Sequence, residues 1–477
     1  MKIFALFIHQ GRHEKDIVDT LLMPVGIIAL ADFLTKKGFK TLIVNNSLNI
    51  LKKKEKLEKL IKDLDPEFLC LSLHWHFQIK ETVEIAKNLK RAYPFKKIAL
   101  GGFTASYFAR EIMEEIPEID YIIRGDAEIP LFKLFSYHKN GGKLSEIPNL
   151  FCRVNGKVIE GSKKFTANRK ILDSLDYSNY NLIINKKDIL QGSWRCIIRK
   201  DEHIWDDDSA LKPRAYYTLA RGCSYNCSFC GGSRMAQIKI SGRKAFIAKS
   251  YESVIRDIKG ILKLGIKNLY FCGLVSNSKY FSGLFSEFRK QKISFSVTFE
   301  GCGLPSEIFL KEFSATFSEH LINSRLIFFP ESGSEAVRRV NKGIFFNNIQ
   351  IFKCLDMAKK LGINIEVRFI LGLPNETQKT FMETLAMAKI IRDKYNYEVN
   401  IHTAPLEPGS PMHQFPEKYN IKAVNKTFRD YLNNPLSYEN LGYESFFMDD
   451  KEIKRNYEIF RTLIKKNIFL KGKEFKI

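Results

Sequence analysis

Twice along this chain, short apolar runs alternate with stretches of helical periodicity, and this double alternation limits the fold more than any other feature. The first series fills residues 1–160. Strand signals at 2–8, 41–45, 67–73, 96–102 and 119–128 are separated by helical patterns at 25–38, 56–65, 81–93 and 109–116. Alternation at this pitch predicts an α/β domain, a doubly wound (Rossmann-like) parallel sheet with helices on both faces. Ligands of such sheets sit beyond the carboxyl ends of the strands, which directs attention to residues 72–76, 101–104 and 124–128. An Asn155-Gly156 turn between two short apolar runs predicts a hairpin over 150–160.

The second series fills residues 213–411, with strand signals at 216–222, 267–273, 293–301, 325–332, 364–374 and 398–405. Helical patterns at 249–265, 279–291, 306–314, 348–362 and 383–395 lie between them. Six such repeats predict an open, partial (βα)6 barrel. Residues 161–212 between the two series read as a linker. That stretch contains Trp205 followed by Asp206, Asp207 and Asp208, a triplet able to bind a cation but read here as a solvated loop. The tail, 412–477, is expected to be a small helical extension with a helix over 451–466 and no legible chemistry.

The totals agree with a folded, multidomain protein. A chain of 477 residues exceeds what one hydrophobic core organises, and 45% apolar with 27% charged residues excludes disorder. The net charge of +23 favours acidic partners, but the basic residues are dispersed and no nucleic-acid-reading motif accompanies them, so no nucleic-acid partner is expected. The apolar start breaks at His9, Gln10 and Arg12, and the longest apolar stretch, 21–34, contains Pro24 and Asp32. Neither a signal peptide nor a transmembrane segment is expected. Nine cysteines without a disulfide-like rhythm point to a reducing, cytoplasmic setting.

Three of those cysteines are distinctive. After the first strand of the second series comes RGCSYNCSFCGGS, with Cys223, Cys227 and Cys230 spaced Cys-x3-Cys-x2-Cys and Phe229 directly before the last. Three thiolates on one tight loop can hold three irons of a [4Fe–4S] cube and leave the fourth open to a small molecule. A zinc site is the weaker reading, because no His or further Cys lies nearby to complete a tetrahedron. The remaining cysteines are read as small core hydrophobes.

This loop resembles the hallmark of the radical S-adenosylmethionine (SAM) superfamily. Later segments resemble that superfamily in the same order: Pro330-Glu331-Ser332-Gly333-Ser334 on the fourth strand, Leu371-Gly372-Leu373-Pro374-Asn375-Glu376-Thr377 on the fifth and Pro405 to Pro411 after the sixth. The resemblance implies that the open iron binds SAM, whose reductive cleavage yields a 5′-deoxyadenosyl radical with electrons from a donor such as flavodoxin or ferredoxin. It also implies SAM contacts at Phe229, Glu331, Ser332, Gly333, Arg368 and Leu373. Read without the resemblance, the ESGS segment is a polar loop, the segment after Gly372 a strand end with a helix cap, and Arg368 a surface or core-rim arginine. One departure stands out: Phe271-Cys272-Gly273-Leu274 occupies the place where the family often carries an acidic pair that meets the SAM amino group.

The first 160 residues resemble the cobalamin-binding modules fused to one large radical SAM class. Met23-Pro24-Val25-Gly26, Ser72, Gly101-Gly102 and Arg124-Gly125-Asp126-Ala127-Glu128 carry the likeness. It implies cobalamin contacts at Met23, Gly26, Ser72, Trp75, Gly101, Gly102, Gly125 and Glu128. Glycines at such places permit close approach of backbone to a bulky ligand. Leu21 and Met23 stand where cobalt-ligating modules have Asp and His, so no cobalt ligand is expected from that loop. Trp75 has two readings, a bulky side chain below the cobalt or a residue of the core with a neighbouring His in a hydrogen bond.

Together the two resemblances imply a cobalamin-dependent radical SAM enzyme, foremost a methyltransferase at an unactivated carbon of a small-molecule, lipid or peptide substrate. The competing expectations are cobalamin-dependent rearrangement or ring formation, an RNA-modifying radical SAM enzyme, and a non-catalytic cobalamin and iron–sulfur sensor. RNA-modifying methylthiotransferases carry a second cysteine triplet, whereas Cys70, Cys152 and Cys196 are far apart here.

Overall fold

The structure is a computed structural model and describes residues 3–11, 13–14, 17–18, 23–51, 56–190, 214–275, 278–437 and 440–465. Trp205, the aspartate triplet and Cys196 lie outside the described residues. By its internal contacts the chain forms two compact units. One comprises Met1–Cys223, Arg234–Phe271 and Lys426–Pro435; the other comprises Ser224–Ser233, Cys272–Asn425 and Leu436–Ile477.

The first unit contains strands β1 (Phe4–His9), β2 (Lys40–Asn45), β3 (Phe68–Ser72), β4 (Lys97–Gly101), β5 (Tyr121–Ile123), β6 (Leu150–Val154) and β7 (Lys157–Glu160). Their sheet runs β2-β1-β3-β4-β5-β6-β7. The first five strands pair parallel and the last two antiparallel. Helices α1 (Val25–Lys36), α2 (Leu57–Leu64), α3 (Ile79–Ala92), α4 (Ala109–Glu115) and α5 (Glu128–Asn140) supply the crossovers. The five parallel strands are largely buried and rich in Ile, Leu and Phe, as a sheet covered on both faces requires.

Two features of this sheet go beyond the sequence expectation. The hairpin joins the sheet edge, because Tyr121, Ile122 and Ile123 pair with Cys152, Phe151 and Leu150. The stretch read as a linker contributes to the unit up to residue 190: Asn179 donates to the buried Asp32 at 2.9 Å, and Asn185 donates to the Asn45 carbonyl at 2.8 Å. These are amide contacts with distant residues, which leave no periodic trace in a sequence.

A second sheet runs β8 (Arg214–Thr218), β9 (Asn268–Leu274), β10 (Ser296–Cys302), β11 (Arg325–Glu331), β12 (Ile365–Leu371) and β13 (Glu398–Thr403), in chain order. The pairs from β10 to β13 are parallel. Order without reversal is the signature of a barrel-like βα series, not of a doubly wound sheet. Helices α6 (Arg234–Ser241), α7 (Tyr251–Lys263), α8 (Ser278–Lys290), α9 (Glu307–Thr316), α10 (Glu335–Asn341), α11 (Asn348–Lys360) and α12 (Gln378–Ile390) accompany it. Caps begin several of them: Ser250, Ser306, Asn347 and Thr377 each accept a backbone N–H three residues on. Between α8, α9 and the sheet, the Phe285 ring meets Phe281, Phe288, Phe309, Phe313 and Phe317 at centroid distances of 5.5–6.4 Å. In the tail, α13 (Phe428–Asn433) and α14 (Asp450–Lys465) form.

Candidate functional site

Residues 224–233 carry Cys227 and Cys230 and are held from three directions. Ser228 donates its backbone N–H to the Asn341 carbonyl at 2.8 Å and its hydroxyl to Asn341 Oδ1. Asn341, fully buried at the end of α10, donates its amide to the carbonyls of Val337 and Pro374 at 2.9 and 2.8 Å. One side chain thereby ties the cysteine loop to the turn after β12. Gly231 N–H donates to Glu407 Oε2 at 2.6 Å, and Met412 N–H donates to the Ser228 carbonyl at 2.9 Å. A Cβ at Gly231 would stand 2.9 Å from that same carboxylate oxygen and 3.0 Å from the Pro408 carbonyl, so a larger residue there would push on the contact.

Cys223, Cys227 and Cys230 are half-buried, and none of the three is in a disulfide. The donor set fits an iron–sulfur cube. Gly343 N–H points at Cys227 Sγ at 3.3 Å, a donor to thiolate sulfur of the kind that tunes such clusters. Among the described residues no three His, Cys, Asp or Glu side chains converge closely enough to share a single metal ion. A cube spreads its thiolates, one to each of three irons.

The strand ends beside this loop gather some of the expected SAM contacts. Phe229 and Ile370, both half-buried, pack on a buried cluster of Val337, Leu373 and Ala404, an apolar floor suited to a flat ring. Glu331 closes β11 with a left-handed backbone (φ 62°) and is buried. Its Oε1 accepts from Lys342, while Oε2 is buried without a hydrogen-bond partner, an acceptor suited to an amine or hydroxyl. Burial raises the Glu331 carboxyl above its ordinary range despite Lys342. Burial works against the Lys342 charge, but Glu331 and Cys227 beside it hold the ammonium charged.

Three expected contacts are committed to the fold itself. Gly333 N–H donates to Thr384 Oγ1 at 2.9 Å, and a Cβ there would lie 2.6 Å from backbone of α12. The Ser332 hydroxyl faces Thr384, and its carbonyl accepts from Arg338. Arg368 is neither at the surface nor at the core rim. It is buried and donates to Glu366, which also receives Asn400 and Arg325. Burial would raise the Glu366 carboxyl, but Arg368 holds it lower, so the Arg368 charge is already answered inside the chain.

In the first unit, Trp75 stands just beyond β3, half-buried and outside the core. It stacks on Phe77 at 5.6 Å with ring planes 8° apart and meets the His74 ring edge-on at 4.6 Å. Gln78, fully buried, orients this turn by accepting from the backbone N–H groups of His74 and Trp75 at 2.9 Å each. Its amide donates to the Gln10 carbonyl. Burial pushes the His74 imidazole down to about 4, so it is neutral near pH 7. Ser72 Oγ lies 3.2 Å from His9 Nδ1.

The glycines separate into two kinds. A Cβ on Gly26 would meet nothing within 4 Å, and one on Gly101 only the Ile123 carbonyl at 4.0 Å; both leave room that a ligand can use. Gly102 (φ 117°) is instead required by the chain, because a Cβ would stand 2.4 Å from the Leu73 carbonyl. Gly125 (φ 78°) likewise faces Ser241 at 2.8 Å. Met23 is buried. The acidic side chains of the 124–128 turn are also occupied internally: Arg221 donates to Asp126 at 2.9 Å and to Glu128 at 2.6 Å, and Arg243 donates to Asp126. Glu128 is thus a buried partner of the arginine two residues before Cys223.

Gln78, Asn341, Lys342, Val337, Ile370, Ala404 and Glu407 escaped the sequence analysis. Glu407 alone had a signal, since it lies within the segment 405–411 already singled out.

Two family models match. The B12 binding domain covers residues 18–134, and the Radical SAM superfamily covers residues 217–388. The chain is a radical SAM superfamily protein with a B12-binding domain. Among similar proteins, an uncharacterized methyltransferase of Pyrococcus horikoshii is 24% identical over 401 residues, covering 82% of this chain and 78% of that protein. The hopanoid C-3 methylase of Methylococcus capsulatus is 23% identical, covering 56% of this chain and 45% of the methylase. The anaerobic magnesium-protoporphyrin IX monomethyl ester cyclase of Cereibacter sphaeroides is 21% identical, covering 80% of this chain and 59% of the cyclase. This radical SAM protein therefore spans about half the length of the last two. A solved structure of the radical SAM methyltransferase TsrM from Kitasatospora setae, with cobalamin and a [4Fe–4S] cluster bound, superposes with a TM-score of 0.71 at 12% identity. That superposition covers 98% of this chain and 90% of TsrM, a likeness of fold. No helix among the described residues is long and apolar enough to cross a membrane.

Proposed function

We propose that this protein is a cobalamin-dependent radical SAM methyltransferase acting at an unactivated carbon. The observation that carries the reading is the cysteine loop itself: three half-buried cysteines outside any disulfide, with the loop pinned by Asn341 and Glu407 and a backbone donor aimed at Cys227. When bound, the [4Fe–4S] cluster, SAM and cobalamin supply reductive bond cleavage and methyl transfer, the chemistry that the polypeptide cannot perform alone.

The residues supply position and shelter. Cys223, Cys227 and Cys230 would hold the cluster, and Phe229, Ile370 and Leu373 would seat an apolar ring. The free Glu331 Oε2 would accept from the SAM amine or ribose, replacing the missing acidic pair after β9. In the first unit, Gly26 and Gly101 would admit the cobalamin, and the Trp75–Phe77 stack, oriented by Gln78, would present an apolar surface to it. The domain limits that follow from this reading are residues 1–160, 213–411 and 412–477, with 161–212 between the first two. The likeness to the magnesium-protoporphyrin cyclase over 80% of the chain supports ring formation as the second reading. A cytoplasmic setting and a flavodoxin- or ferredoxin-like electron donor accompany either reading.

The test is anaerobic reconstitution with iron, sulfide and hydroxocobalamin, followed by metal counts and product analysis with candidate substrates. About one cobalt and about four irons per chain are expected, with S-adenosylhomocysteine and 5′-deoxyadenosine formed alongside a methylated product. Iron without cobalt, or product without methyl gain, overturns the methyltransferase. Trp75→Ala should weaken cobalamin binding and change its absorption spectrum; unchanged affinity and spectrum would remove Trp75 from the site.

A further inference from the structure

The first sheet reverses its strand order once. From β1 the chain passes to β2 on one side and then returns to β3 on the other, giving the order β2-β1-β3-β4-β5. In parallel sheets of this kind a ligand lies at that reversal, beyond the carboxyl ends of the two strands. His74 stands there, two residues past Ser72 at the end of β3.

The backbone of His74 is fixed from both sides. Its N–H donates to Gln78 Oε1 at 2.9 Å, and its carbonyl accepts from the Thr104 N–H at 3.2 Å and the Thr104 hydroxyl at 3.0 Å. Two aromatic rings wall the imidazole. Trp75 meets it at 4.6 Å with ring planes at 78°, and Phe103, just past the end of β4, meets it at 5.0 Å with ring planes at 88°. The Leu73 N–H donates to the Gly101 carbonyl at 2.8 Å, so the room left at Gly101 lies beside this turn.

Among the described residues no hydrogen bond reaches either ring nitrogen of this half-buried side chain. Other histidines of the unit differ: His9 Nδ1 lies 3.2 Å from Ser72 Oγ, and His138 Nε2 lies 3.0 Å from the Tyr121 hydroxyl. A structural histidine spends a ring nitrogen in that way. An imidazole held rigidly by aromatic walls, with no polar partner and uncharged near pH 7, keeps a lone pair for a metal.

We propose that a ring nitrogen of His74 is an axial ligand of cobalt when cobalamin occupies the first unit. The turn after β3 then supplies the cobalt ligand that the segment around Met23 lacks. This ligation presupposes the cobalamin binding proposed above. The nitrogen lone pair goes to cobalt, and the water or the cofactor's own benzimidazole nitrogen leaves that position. No electron is transferred and no proton moves. Trp75 and Phe103 hold the imidazole plane, while Gln78 and Thr104 fix the backbone from which it projects.

The test reads the nitrogen on cobalt directly. The full chain is made with nitrogen-15 histidine, loaded anaerobically with unlabelled hydroxocobalamin and brought to the cob(II)alamin state at a potential that leaves the cluster diamagnetic. In electron paramagnetic resonance, a nitrogen-15 ligand from the protein splits each cobalt line into a doublet. Ordinary nitrogen from the cofactor's base splits it into a triplet. Labelled parent protein should give doublets and unlabelled parent protein triplets. His74→Ala should lose the doublets, and His74→Gly should regain them with added nitrogen-15 imidazole, with circular dichroism showing both variants folded. Triplets or unsplit lines from the labelled parent, or doublets that survive in His74→Ala, would overturn the ligand assignment and leave cobalamin binding standing. A chain that retains no cobalt would overturn both.

Discussion

Glu376 shows how much a single buried carboxyl can govern. It accepts from the Gly372 N–H at 2.7 Å, its Oε1 is buried without a hydrogen-bond partner, and burial raises its pKa from 4.5 to about 8. The folded chain therefore holds a proton that the unfolded chain has released over that interval. Stability should decline as pH rises from 4.5 to about 8 and then level off. Glu376→Gln keeps an acceptor for Gly372 and should flatten that decline, as followed by urea midpoints across the same window. Gln78 makes a different prediction. Gln78→Ala leaves the His74 and Trp75 N–H groups without their acceptor and should cost about 2 kcal/mol in denaturant unfolding. If the Trp75 turn serves cobalamin, the same change should weaken cobalamin binding more than a remote mutation of equal cost. Glu376 lies in the fifth-strand segment already singled out, yet neither role was legible in the sequence: the partners are only three or four positions away, but the burial that gives each bond its weight is set by tertiary packing.

At the scale of elements, the carboxyl ends of β9 to β13 present chemistry while their buried stems provide rigidity. Cys302, Glu331 and the turn after Leu371 all follow directly from strand residues with buried neighbours, which limits their freedom. α10 has a further task, because its last residue, Asn341, bonds both to Ser228 and to Pro374. Asn341→Ala would strand several buried polar groups and should cost about 3 kcal/mol in denaturant unfolding. Iron retention after reconstitution and desalting should fall with it, whereas an equally destabilising change in the Phe285 cluster should leave retention intact. The strands and most helices were legible as alternating patterns. The hairpin's attachment to the sheet edge was not, since its pairing with β5 depends on which edge is left open.

At the scale of the whole molecule, two compact units account for how the cofactor sites should respond to mutation. Cys227→Ala should abolish retention of the cluster iron and formation of 5′-deoxyadenosine, while cobalamin taken up by residues 18–134 should remain close to the parent level. Cobalt and iron counts on the same sample check both halves. Simultaneous loss of both metals would mean that the two sites load as one. The net charge of +23 is dispersed along the chain and carries no comparable prediction.

Taken alone, the sequence determined two α/β series, the cysteine loop and the order of the segments that follow it. These are local or periodic properties, set by spacing along one stretch of chain. Tertiary structure decided which candidate residues the chain itself already engages. Gly26 and Gly101 have room beside them and one buried oxygen of Glu331 lacks a hydrogen-bond partner, whereas Gly102, Gly333, Arg368 and Glu128 are engaged by the chain itself. Burial and hydrogen bonding are settled by neighbours remote in sequence, and for that reason a motif can mark a segment without revealing which of its atoms are free.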